Sequence, residues 1–138
     1  MTTQNVSDFS TDLIFGKEGE KLVEELLTGG YSVEVKTDRK WAKTGNLYIE
    51  TDCYYQGRRA WGPSGITTTQ ADYWAFVLAP QNPDALPGIH FYHVDVVRYA
   101  IEEFGSLIEC KIPPNPSKGV LVTLAHLDKA VKEYKNGN

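Results

Sequence analysis

The chain has 138 residues, sixteen of them aromatic, an apolar content of 41% and a formal net charge of −4. That length suits one domain, 1–138, with a single core and residues 1–10 loose, and the composition excludes a disordered polymer. No run approaches the roughly 20 apolar residues that cross a bilayer, MTTQNVSDFSTD has neither the basic start nor the apolar run of a secretory leader, and Cys53 and Cys110 form no disulfide or metal framework.

A reducing, cytoplasmic setting with no membrane partner is therefore expected. From Asp12 to Thr28 the apolar residues Phe15, Leu22, Val23, Leu26 and Leu27 recur at the spacing of one helix face, and Gly29-Gly30 stops the helix. Tyr31 to Asp38 reads as a strand, with Glu34, Lys36 and Asp38 on one side and Val33, Val35 and Thr37 on the other. A connection from Arg39 to Gly45 leads into a second strand, Asn46 to Tyr55, whose Tyr48, Glu50, Asp52 and Tyr54 share a face. Gln56 to Gly65 is a loop, and Thr67-Thr68-Thr69 predicts a short capped helix before a strand over Tyr73 to Leu78. Pro80 to Gly88 is a loop, Ile89 to His93 a strand and Val94 to Phe104 a helix. The prolines at 113, 114 and 116 break the chain, Gly119 to Thr123 is a short strand and Leu124 to Tyr134 a closing helix. This order predicts an α/β domain, a central mixed sheet flanked by helices.

Charge is unevenly spread. Between residues 36 and 59 six basic residues stand against three acids, inside an otherwise acidic chain. If the strands 31–38 and 46–55 pair as a hairpin, Glu34, Lys36, Asp38, Glu50 and Asp52 all project from one face. Like charges directly opposed destabilise a sheet, so such a set suits a divalent cation better than structure alone. A lysine beside it can orient the attacking water and offset charge on a phosphorane. A wet sheet face decorated with Glu and Lys is the simpler alternative. On the first helix Glu20 projects only about 20° from Leu27 and can be aimed at the same cluster.

The segments GKEGEKLVEELL, YSVEVKTD, KTGNLYIE and PSGITTTQADYW, spanning about residues 12–79, resemble the PD-(D/E)XK nuclease superfamily, small phage-type members above all, and more distantly the Holliday-junction resolvases. The resemblance implies a restriction-endonuclease-like core and a Mg²⁺- or Mn²⁺-dependent DNA endonuclease, phage-encoded and acting in a bacterial host, with branched DNA in recombination or repair as the substrate that the resolvase relatives suggest. It assigns Glu34 and Lys36 to the acid and lysine of the motif, Glu20 to the helix glutamate and Glu50 to the acid closing TGNLYIE. Gln70 and Tyr73 match, more weakly, a glutamine and a tyrosine found after the core strands. The usual aspartate preceding the motif is missing. Asp38 can replace it, which makes Asp38 and Glu50 the paired carboxylates and Lys36 a migrated lysine. Glu20, Glu34, Asp38 and Glu50 are thus the candidate metal ligands, and a homodimer is implied by the resolvase relatives.

Arg39, Lys40, Lys43, Arg58 and Arg59 are expected to meet DNA phosphates, with Ser64, Thr67, Thr68 and Gln70 adding hydroxyl, amide or helix-terminal contacts. Trp41 and Trp61 can stack on bases, whereas Trp74 reads as core. A structural role is the simpler reading for His90 and His93, and Cys53 has no histidine partner at a nucleophile's spacing. Two competing classes remain: a DNA-binding module that has lost its metal site, and an accessory protein that uses the sheet to contact another protein.

Overall fold

The computed structural model describes residues 6–38, 40–80, 82, 84–111 and 115–137, with side chains described from residue 16 to residue 135. The chain divides into two units, residues 1–32 and 33–138. The first carries one helix, α1 (Val6–Leu27), closed by Gly29 in the left-handed region at φ 82° and by Gly30 N–H donating to Glu25 O. The helix begins six residues before the position expected from its apolar spacing. Its predicted buried stripe is largely open: Leu22, Val23 and Leu27 are exposed, as is Glu20.

The second unit is α/β, with two sheets where the sequence suggested one. The first sheet has the order β1 (Val33–Asp38), β4 (Tyr73–Leu78), β5 (Gly88–His93); β1 runs parallel to β4, and β5 antiparallel. The second is antiparallel throughout, in the order β3 (Ala60–Pro63), β2 (Asn46–Tyr55), β7 (Ser117–Thr123), β6 (Ser106–Cys110). A one-turn helix, α2 (Trp41–Thr44), joins β1 to β2, and α3 (Val94–Phe104) and α4 (Leu124–Gly137) complete the unit. No helix among the described residues is long and apolar enough to cross a membrane.

The core explains why these segments fold as they do. Alternate residues Leu47 and Ile49 of β2 and Val120 and Val122 of β7 are buried on one face, beside Val97, Ala100, Leu127 and Ala130 of the two amphipathic helices. Trp74, Phe76, Leu78 and Tyr92 extend this cluster into the first sheet. Strand β4 carries an almost unbroken apolar run, with Trp74, Phe76 and Leu78 buried on one face. Helix α3 starts cleanly because His93 Nδ1 accepts the Asp95 N–H at 3.1 Å, the structural role expected of that histidine.

Two expectations fail here. Strands β1 and β2 do not form a hairpin: β1 finds its ladder in β4, and β2 finds its own in β3 and β7. The three threonines after residue 66 do not start an α-helix either; the first of them ends a single 3₁₀ turn, Gly65–Thr67, and an irregular segment leads into β4. Strands β3 and β6, four and five residues long and mostly exposed, carry too little apolar alternation to be read from sequence.

Candidate active site

Side chains alternate along β1, so Glu34, Lys36 and Asp38 share one face, and each is half-buried. At the end of that strand Asp38 turns the chain. Its Oδ1 accepts the Trp41 N–H at 3.0 Å, fixing the first turn of α2, and its Oδ2 accepts the Tyr48 N–H at 3.2 Å. The second bond ties the end of β1 to β2, so a side chain links the two sheets where a hairpin ladder was expected. Gly45, left-handed at φ 74°, closes α2 and lets β2 begin at once.

On β2, Tyr48 and Glu50 face the same way as Gly119 and Leu121 of β7. Between Glu50 and Asp52 the register slips by one residue: Glu50 pairs with Gly119, whereas Asp52 pairs with Lys118. Neighbouring residues on β7 point to opposite sides, so this bulge turns Asp52 onto the face opposite Glu50. Asp52 is therefore not part of the acidic cluster drawn from strict alternation.

The result is a cavity of about 190 Å³ lined by Lys36, Thr37 and Asp38 of β1, Tyr48 and Glu50 of β2, and Trp74 and Phe76 of β4. Lys36 Nζ lies 4.8 Å from the centroid of the Trp74 ring, within cation–π range. The same ammonium is 3.3 Å from Glu34 Oε2. That oxygen is buried and has no hydrogen-bond partner among the described residues, so the contact is an ion pair without hydrogen-bond alignment. Glu50 is held from the other side, where Ser64 Oγ donates to its Oε2 at 2.8 Å. Burial first, and the nearby Cys110 and Glu50 after it, raise the pKa of the Tyr48 phenol against the hydrogen bond with Ser117 that lowers it, so Tyr48 is a neutral hydroxyl at pH 7.

No family model, curated protein or solved structure matches the chain. The site must be judged on its own geometry. Lys36, Asp38 and Glu50 come together at one cavity, and Glu34 stands beside it through its ion pair with Lys36. Glu20 is exposed on α1 in the other unit. Among the described residues no group of three or more His, Cys, Asp or Glu side chains is arranged to hold a metal ion.

The expected phosphate contacts are dispersed. Lys40 and Lys43 are exposed on and before α2; Arg58 and Arg59 are exposed on the turn between β2 and β3, Arg58 lying 4.1 Å from the Tyr55 ring centroid and Arg59 left-handed at φ 50°. Arg39 lies outside the described residues. Thr67, Thr68 and Gln70 are exposed in the segment after β3, whereas Ser64 is buried and gives its hydroxyl to Glu50. Trp61 is 38% exposed beneath Lys118 Nζ at 4.3 Å, and Trp41 packs against the core.

Several positioning residues escaped the sequence reading. Arg98 of α3 donates through one guanidinium nitrogen to Ile66 O and Thr69 O, both at 3.3 Å, and so holds the 3₁₀ turn that carries Ser64. Thr69 Oγ1 accepts the Trp74 indole N–H at 3.2 Å, fixing the ring against which Lys36 rests. Tyr48 offered a signal, since it alternates with buried Leu47 and Ile49, but its phenol bond to Ser117 at 2.7 Å spans 69 residues of sequence.

Proposed function

We propose that this cavity is the reaction centre of a metal-dependent deoxyribonuclease, an endonuclease hydrolysing DNA phosphodiester bonds on a restriction-endonuclease-like fold. One observation carries the reading: Lys36, Asp38 and Glu50, brought from strands of two different sheets, line the same small cavity. The donor set fits a hard divalent cation. Mg²⁺ is commonly held by one or two carboxylates, with waters and a substrate phosphate filling its remaining positions. A carboxylate offers about four acceptor sites; Asp38 has two engaged by backbone N–H groups and Glu50 one by Ser64, so both retain sites.

Asp38 and Glu50 are the residues that would hold Mg²⁺ or Mn²⁺. The bound ion supplies Lewis-acid polarisation of the phosphoryl oxygen and acidifies bound water. Lys36 orients the attacking water and offsets negative charge on the phosphoryl oxygens as the P–O bond breaks. Glu34 holds the ammonium in place, and the Trp74 ring limits its swing. Ser64 keeps the Glu50 carboxylate in one orientation.

A DNA-binding module on the same fold is favoured by one observation, the gathering of two carboxylates at the cavity rather than three or more. Titrating Mn²⁺ against labelled branched and linear DNA separates the two. The nuclease reading expects metal-dependent cleavage, reduced about 10²–10³-fold in Lys36→Ala with DNA binding retained. Binding without metal-dependent cutting favours the module, and no binding even at low salt removes both.

A further inference from the structure

We propose that the groove beside this cavity seats unpaired nucleobases, so that the strand cut at the site is single-stranded where it enters; the inference rests on the nuclease reading above. The groove has a volume of about 900 Å³ and shares Thr37, Asp38 and Tyr48 with the smaller cavity, so the two meet at Asp38. Its floor is the open face of the second sheet, where Tyr48, Ile108, Cys110 and Leu121 lie on the side opposite the core residues Leu47, Ile49, Val120 and Val122. Gly119 keeps that floor flat: a Cβ there would stand 2.7 Å from atoms of the Tyr48 ring and 2.6 Å from Ile49 O. Ile108 is 42% exposed.

A duplex cannot cover such a floor. It turns charged phosphates outward and hides the flat faces of its bases in the stack. An unpaired strand offers those faces, which stack on aromatic rings such as that of Tyr48 with little regard to sequence. The volume lies in the range of small-ligand pockets, roughly 300–1,000 Å³, large enough for bases. Lys40 and Lys111 line the same groove and supply two ammonium groups for the phosphates of the seated strand. Glu109 and Asp38 balance them, so the groove selects by apolar contact more than by charge.

The test uses the whole chain with three end-labelled oligonucleotides of one sequence: single-stranded, blunt duplex, and duplex with an unpaired flap. With Mn²⁺ the single strand and the flap are cut at least about tenfold faster than the blunt duplex, and Ile108→Ser lowers the single-strand rate about tenfold while leaving the duplex rate unchanged. Lys111→Ala provides a second variant at an exposed position, and unfolding in urea checks that both variants fold. Equal rates on single strand and blunt duplex, or wild-type rates in Ile108→Ser, overturn the proposal. If no DNA is cut, the nuclease reading falls and metal-free fluorescence polarisation decides the groove separately. Tighter binding of the single strand that Ile108→Ser weakens then sustains it, and equal or absent binding overturns it.

Discussion

Replacing Gly65 by alanine tests how the site is held. Gly65 opens the 3₁₀ turn at φ 55°, a left-handed conformation that costs an L-residue about 1–2 kcal/mol. A Cβ at this position would also fall inside hard contact with Glu50 O and stand 3.0 Å from Glu50 Cβ. Those atoms belong to the middle of β2 and cannot move without disturbing its ladder with β7, so overpacking adds about 1–3 kcal/mol. The total, about 2–5 kcal/mol, is a large part of the 5–15 kcal/mol that holds a typical domain together. Relief by outward movement of the turn would carry Ser64 away and release the Glu50 carboxylate from its 2.8 Å hydrogen bond. Thermal unfolding should therefore show a Tm about 10 °C or more below wild type. Gly57→Ala, where a Cβ meets nothing within 4 Å, should change stability by less than about 0.5 kcal/mol. A Gly65→Ala protein melting within a degree or two of wild type would refute the close approach on which the site's geometry depends.

Tyr92 gives a pH-dependent prediction. Burial, then the 2.8 Å hydrogen bond to Asp128, raise its pKa above the ordinary value of 10. Because the folded value exceeds the unfolded one, its stabilising contribution is complete below pH 10 and fades as pH rises above 10 toward the folded value. Denaturant unfolding should find Tyr92→Phe about 1 kcal/mol less stable at pH 7, with the gap to wild type narrowing above pH 10; a constant gap would contradict the assignment. In DNA binding, single replacements of Lys40, Lys43 or Arg58 by alanine should each reduce the slope of log K against log salt by about one, as one phosphate contact is lost. Unchanged slopes would remove these residues from the interface.

The strands that carry the candidate residues were legible because alternation is a local property. Glu34, Lys36 and Asp38 do share a face of β1, and Trp74 is core. What could not be read was pairing. Two adjacent strands separated by seven residues suggested a hairpin, yet Asp38 gives both carboxylate oxygens to backbone N–H groups and sends β2 into a different sheet. The bulge that separates Asp52 from Glu50 depends on β7, some 65 residues later, so no local pattern announces it. The apolar spacing of α1 was real in sequence, but spacing alone does not say what covers a face, and Leu27 is 82% exposed. Ser64 was legible only as a hydroxyl near a glycine; its role follows from its burial against Glu50.

The most direct test of the account is a crystal grown with Mn²⁺ and examined by anomalous scattering. The account predicts one ion within coordination distance of both Asp38 and Glu50, on the side of the cavity that Lys36 faces, and loss of that peak in Glu50→Gln. An ion bound to other acids, or none at millimolar Mn²⁺, would contradict it.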